Sequence, residues 1–298
     1  MIPKSKNMVV YNQASFSFDL SVADIYLSLS NCYSLCSYDS DDFNYIVKRM
    51  ISNKVNLLVI TPTFAKGLLT CNEFNSSLFS SLDSIFFCGE RLEKATVKKL
   101  FNKFNNINIY NAYGPTEATC AVSLIKIDKK YLNYDVLPVG KISSSACDIN
   151  IIDKEIVLSG KSVSKGYLNA SNDNFINNNG VNTFKTGDIG KIEDGLLYCL
   201  GRIDNQIKYK GYRIELEEIE EKINEIKRVN DAACSVRRND KGDVVAIICY
   251  VKGENITSLY IKEMLKEKLP CYMIPKFIKV VDDIKVNINN KHDRKELV

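Results

Sequence analysis

One histidine, His292, stands in a chain of 298 residues. That scarcity removes most imidazole chemistry, because a Ser-His-Asp or Cys-His arrangement has a single base to draw on. A zinc cluster would have to be built almost wholly from thiolates, and no two of the ten cysteines form a Cys-x-x-Cys pair. They lie at 32, 36, 71, 88, 120, 147, 199, 234, 249 and 271. Scattered thiols of this kind, read as unpaired, point to a reducing cytoplasm. The opening MIPKSKNMVVYNQ has no apolar core of a signal peptide, and no apolar run approaches the length that spans a bilayer. Membrane insertion is therefore not expected. An excess of one charge is missing too. The net charge is +4 with lysines interleaved among Asp and Glu, which argues against nucleic acid as a partner.

What is present is the make-up of a globular protein, 45% apolar and 26% charged, long enough for one large domain or two ordinary ones. Asn56–Ile60 reads as a short strand broken by Thr61-Pro62-Thr63, and Phe64–Leu69 as a helix. Ser84–Phe87 reads as a second strand, ended by Cys88-Gly89-Glu90. Leu92, Val97, Leu100, Phe101 and Phe104 then mark a helix, and Ile107–Tyr110 a third strand. Strands alternating with helices predict an α/β fold with a parallel sheet, whose ligands gather at the carboxyl ends of the strands. Cys88 and Ala112 are expected there.

Asn111-Ala112-Tyr113-Gly114-Pro115-Thr116-Glu117 follows the third strand. By local rules it is a Gly-Pro loop, yet at a strand end it offers an aromatic face for a purine, a hydroxyl for a phosphate oxygen and a carboxylate for Mg2+. Asp19, in Phe-Ser-Phe-Asp-Leu-Ser, either caps a helix whose Val22, Ile25, Tyr26 and Leu29 share a face, or holds a substrate ammonium group. Thr186-Gly187-Asp188 reads as a polar turn, and its acid is either solvated or placed to accept ribose hydroxyls. Leu216, Ile219, Ile223 and Ile226 make one helical stripe, with Glu215, Glu217, Glu218 and Glu220 in its first turns. Val229–Arg237, Val244–Val251 and Phe277–Val281 read as strands, with a turn at Asn239–Gly242 and a helix through Leu259, Met264, Leu265 and Leu269. Gly160-Lys161-Ser162 is no Walker A, which would need Gly where Glu155 stands.

The run from Thr186 to Glu220 resembles the ribose-binding and hinge motifs of the adenylate-forming (ANL) superfamily, TGD followed by GRxDxQxKxxGxRIExxEIE. NAYGPTEAT, EIVLSGKSVSKGYL, CYMIP and the tail NNKHDR resemble further motifs of the same family. FSFDLS and Phe-Cys-Gly-Glu at 87–90 are similar to the amino-acid-activating branch, and within it to the ligases that load D-alanine onto a carrier protein. The resemblance implies the C-terminal part of a large adenylation domain at 1–203 and a small α+β lid domain at 204–298, hinged at Asp204. It implies ATP and Mg2+ as cofactors, with Glu117 on the metal. Asn111, Ala112, Tyr113, Gly114, Pro115 and Thr116, together with Asp188, Cys199, Leu200, Gly201 and Arg202, would bind the nucleotide, Tyr113 against adenine and Thr116 at the α-phosphate. Asp19 would hold the amino group of the amino acid, D-alanine being favoured. Leu20, Ala23, Val59, Phe86, Cys88, Ala112, Cys120 and Ala121 would line its side-chain pocket, with no second charge.

Lys291 would bridge carboxylate and phosphate, joining Thr116 and Glu117 in catalysis. Asn290 and His292 depart from the family's Gly and apolar residue. The thiol of a phosphopantetheinylated carrier protein would then take the aminoacyl group, for D-alanylation of teichoic acid. The family's Thr/Ser/Gly-rich phosphate loop should precede Asp19 by a few dozen residues. Only eighteen residues do precede it, and none fits. The expectation is that an upstream portion is absent or supplied by a separate polypeptide, and that the chain alone is weakly active. A fragment of a nonribosomal peptide synthetase adenylation domain, and a non-catalytic remnant that binds nucleotide or carrier, share these motifs.

Overall fold

The structure, a computed structural model, describes residues 7–141, 147–203, 206–240 and 242–285. The chain divides into two compact units, Met1–Ile203 and Asp204–Val298.

The first unit begins with β1 (Val9–Asn12), α1 (Leu20–Asn31), β2 (Ser34–Cys36), α2 (Phe43–Ser52), β3 (Leu57–Ile60), α3 (Pro62–Leu68), β4 (Ser84–Phe87), α4 (Lys94–Lys103), β5 (Asn108–Tyr113) and β6 (Ser123–Lys126). The strands form one sheet in the order β2-β1-β3-β4-β5-β6, parallel except for β6 at its edge. Successive side chains on a strand point to opposite faces, and the two cores follow that period. Tyr11, Leu58, Ile60, Ile85, Phe87 and Ile109 pack with the apolar residues of α2, α3 and α4, while Val10, Leu57, Val59, Phe86 and Ala112 pack with Leu20 of α1. Thr61 starts α3 by accepting from the Phe64 N–H, and Pro62 occupies the first turn, where its missing donor costs nothing.

Helix α1 reverses the expected stripe. Tyr26 and Leu29 are 67% and 70% exposed, and the residues α1 buries are Leu20, Ser21, Asp24 and Ser28. An apolar period shows only which residues are alike, so it loses its meaning where a helix carries polar groups inward.

A second sheet completes this unit, from β7 (Gly140–Lys141), β8 (Asp148–Ile152), β9 (Glu155–Ser159), β10 (Phe175–Asn178), β11 (Val181–Glu193) and β12 (Leu196–Arg202). Its order is β7-β12-β11-β9-β8, with β10 also on β11, and its pairs are antiparallel. Asp153 and Lys154, both at positive φ, turn β8 into β9 in a two-residue hairpin. Thr186-Gly187-Asp188 is not a turn. It lies inside the thirteen-residue β11, where the register against β9 shifts between Lys185 and Ile189 and Gly187 takes φ +72°. The polar side chains that suggested a turn serve this bulge: Thr186 Oγ1 donates to Ile156 O at 2.8 Å, and Glu155 accepts from Gly187 N at 2.7 Å.

The second unit comprises β13 (Gln206–Tyr209), β14 (Tyr212–Glu215), α5 (Leu216–Asn224), β15 (Val229–Arg238), β16 (Val244–Gly253), α6 (Ser258–Lys266) and β17 (Phe277–Val280). β13 and β14 form a hairpin, and β15-β16-β17 a three-stranded sheet. Its core includes Ile219 and Ile223 of α5, Ile247 of β16, and Ile261 and Leu265 of α6. The Tyr212 and Tyr272 rings stack at 3.7 Å.

Two of the cysteines are not free. β15 and β16 place Cys234 directly opposite Cys249, and the two form a disulfide, so the reading of ten unpaired thiols does not stand. Strand register brings together residues 15 apart that no short motif marks. Thiol titration of the unfolded, unreduced protein is expected to count eight groups, the number left free. Reduction should cost this unit about 3 kcal/mol for a loop of roughly this length. A count of ten would dismiss the crosslink.

Candidate adenylate site

The carboxyl ends of β1, β3, β4 and β5 share one edge of the parallel sheet, since the four strands run side by side in one direction. Loops that leave such an edge converge on ligands. Asp19 sits on the loop from β1 into α1. It occupies the position before the first helical residue, yet its side chain makes no capping bond. Instead Oδ2 accepts from the Thr116 hydroxyl at 2.7 Å, across 97 residues of sequence. The acid expected at an amino group and the hydroxyl expected at a phosphate are thus neighbours.

β5 extends through Tyr113, further than its apolar run suggests, so Asn111, Ala112 and Tyr113 lie inside the strand and are buried. Asn111 Nδ2 donates to Pro138 O at 2.8 Å. Gly114 follows because nothing larger fits: a Cβ there would stand 2.6 Å from Cys120 O and 2.9 Å from Ala121 Cα. Pro115 then leads into a turn of 3-10 helix at Thr116–Ala118. Glu117 is buried in it, and its carboxylate accepts from the Tyr167 hydroxyl. Among the described residues no three His, Cys, Asp or Glu side chains converge to hold a metal. A single carboxylate fits Mg2+, which takes one or two protein oxygens and completes its shell with water and substrate phosphates.

Tyr113 points its hydroxyl at Asp188 Oδ2, 2.6 Å away, and Asp188 Oδ1 accepts from Arg202 Nη1 at 2.8 Å. Asp188 and Arg202 are direct cross-strand partners on β11 and β12. Burial first, and the Asp188 carboxylate next, push the Tyr113 phenol well above its ordinary 10. The Asp188 acid is thus buried and ion-paired rather than solvated. Ile189 pairs with Gly201, where a Cβ would meet nothing within 4 Å, while Leu200 is exposed and Cys199 packs partly on the core that holds Tyr113.

Seven of the eight expected pocket residues, Leu20, Ala23, Val59, Phe86, Cys88, Ala112 and Cys120, belong to one apolar cluster. Ala121 is exposed. The Cys88 thiol donates to Cys120 O at 3.6 Å. Hydrogen bonding of the Cys120 S–H to the Cys88 sulfur, then burial, then the nearby acids Asp19 and Asp24 push the Cys120 thiol far up, so it stays protonated. Asp24, fully buried on α1, is an acid that the sequence reading did not single out. It was missed because its place on α1 looked solvent-facing once Tyr26 and Leu29 were taken as the buried stripe. Asp204 and Lys291, with Asn290 and His292, lie outside the described residues.

Residues 2–168 match the AMP-binding enzyme family, and residues 218–291 match the AMP-binding enzyme C-terminal domain. The chain belongs to the AMP-binding enzyme family. Among its relatives are D-alanine–D-alanyl carrier protein ligases from Staphylococcus epidermidis, 41% identical over 96% of this chain, and from Lactococcus lactis, 35% identical over 99%. The chain spans 61% and 62% of the length of those two relatives. The fold is that of adenylation domains. It aligns with the Vibrio cholerae adenylation domain AlmE in complex with glycyl-adenosine-5'-phosphate at a TM-score of 0.84 and 24% identity, over 99% of this chain and 59% of that one. A nonribosomal peptide synthetase protein with adenylation and carrier domains aligns at 0.81 and 22%, over 98% and 53%. Among the described residues no helix is long and apolar enough to cross a membrane.

Proposed function

We propose that this chain forms the amino-acid and nucleotide site of an ATP-dependent ligase that activates D-alanine as its adenylate and passes it to the thiol of a carrier protein. The observation that carries the reading is the 2.7 Å bond between Asp19 and Thr116. An aminoacyl-adenylate has its ammonium group within a few bonds of its α-phosphorus, so a site for it needs an acid and a phosphate donor side by side. Asp19 would hold the ammonium and Thr116 a phosphate oxygen, while the Tyr113, Asp188 and Arg202 group would take the nucleoside. Mg2+ on Glu117 would neutralise phosphate charge.

Relatives named for D-alanine and a D-alanyl carrier protein, together with the small and medium apolar side chains clustered around Cys88, favour D-alanine as substrate and the carrier protein of teichoic acid D-alanylation as acceptor. Lys291, in the tail NNKHDR, is assigned the cation that bridges carboxylate and phosphate, a role suited to a compact ammonium with rotatable donors. Asp204, the first residue of the second unit, is assigned the hinge. The test is calorimetry of the purified chain with non-hydrolysable sulfamoyl analogues of D-alanyl-, L-alanyl- and des-amino acyl-adenylate. The D-alanyl probe is expected to bind tightest. Equal affinity for the des-amino probe would remove the amino acid from the reading, and no binding of any probe would remove the adenylate.

A further inference from the structure

Helix α1 turns three polar side chains, Ser21, Asp24 and Ser28, into the protein. Ser21 is accounted for by its own helix, donating to Phe18 O at 2.7 Å. Asp24 is fully buried, and only one of its carboxylate oxygens is engaged. Oδ2 accepts from Asn12 Nδ2 at 2.8 Å, and the same amide donates to Ala14 O at 3.0 Å. Asn12 ends β1, and Ala14 opens the loop that leads to Asp19. The amide thus ties helix, strand end and loop into one unit, and the loop's far end is the acid that reaches Thr116. Asp24 Oδ1 and Ser28 Oγ, one helical turn apart, are buried without a hydrogen-bond partner. A buried acceptor without a donor is costly and asks for a reason.

A clamp alone does not supply that reason. An Asn at position 24 would accept from Asn12 as well and would bring no charge into the interior. What Asp adds is a buried negative charge on the helix that packs Leu20 and Ala23 against the apolar cluster of Cys88 and Cys120. We infer that Asp24 is a positioning residue for the substrate ammonium: it fixes the loop that bears Asp19 and supplies a second negative charge behind the pocket. This rests on the aminoacyl-adenylate reading above. The ionisable groups concerned are Asp19 on the same segment and the Cys120 thiol, on which both acids act and which stays protonated. Burial raises the Asp24 carboxyl from 3.8 to about 6, against the pull of Asn12 and the helix N–H groups.

The sign of the stability effect follows. The folded chain holds this proton to higher pH than the unfolded chain, so a penalty develops between pH 3.8 and about 6 and is fully present above. Asp24→Asn is therefore expected to melt higher than the parent at pH 7.5. In calorimetry at that pH, the variant should bind the D-alanyl probe about 10-fold more weakly and the des-amino probe within two-fold of the parent. Between pH 7.5 and 5.0 the parent should lose about five-fold for the D-alanyl probe as Asp24 takes up its proton, and the variant, which keeps Asp19, should not share that loss.

Unchanged affinity and an unchanged pH profile in Asp24→Asn would overturn the inference, as would equal weakening of both probes, the mark of a merely structural residue. Failure of the parent to bind either probe, or its indifference to the amino group, would strike the underlying reading first and this inference with it.

Discussion

Asp19→Asn is expected to weaken binding of the D-alanyl-adenylate analogue by about 100-fold or more, while the des-amino analogue binds within two-fold of its original affinity. Truncating one partner of a desolvated charge pair costs about 2–5 kcal/mol, and 2.8 kcal/mol corresponds to roughly a hundredfold. The neutral isostere is chosen because an Asn oxygen can still accept from the Thr116 hydroxyl, so the loop keeps its anchor and only the charge is lost. An equal drop for both analogues would show that position 19 holds the loop rather than the ammonium. Should neither change, the acid belongs to the helix start and the amino-acid assignment goes with it.

The second large effect concerns stability. Asp188→Ala removes the acceptor shared by the buried Tyr113 hydroxyl and the Arg202 guanidinium. Both side chains of the ion pair are largely screened from water, Arg202 at 15% and Asp188 at 7% exposure, so the remaining charge gains little hydration in exchange. Removing one member of such a pair costs about 3–5 kcal/mol. For a body of this size that is a fall of roughly 6–20 °C in melting temperature. The double variant Asp188→Ala, Arg202→Ala should recover part of the loss, because the stranded cation is gone. Thermal unfolding followed by circular dichroism decides it, and a fall under 2 °C for the single variant would mean that the pair is solvated.

The parts of this fold that were legible beforehand are those in which local chemistry and global position agree. β4 was read at its observed ends, Ser84–Phe87, because three apolar residues after Ser84 are bounded by Asp83 and by Cys88-Gly89. The Gly114-Pro115 break was read as a turn beyond the third strand, and the strand does end at Tyr113, three residues later than read, because Gly-Pro cannot continue it. Three features were not legible, for separate reasons. Helix α1 faces the other way because it buries Ser21, Asp24 and Ser28, and a periodic pattern has no sense of inside. Thr186-Gly187-Asp188 looked like a turn because a bulge uses the same residues as a turn. Cys234 and Cys249 meet through strand register, which belongs to the pairing of β15 with β16 and to neither strand alone. Asp24 was overlooked as a consequence of the first. With α1 turned the right way, it becomes the most conspicuous acid in the unit.

The inverted α1 also bears on energetics beyond the pocket. A helix that wets Tyr26 and Leu29 and buries a half-satisfied acid gives up part of the burial it could have had, and segments with less buried apolar contact open more readily in a native protein. Asp19 stands at its first turn. On the proposed reading, part of the affinity for the amino acid would then go into ordering this helix, and whatever stiffens α1 from its bare side would sharpen recognition on the other.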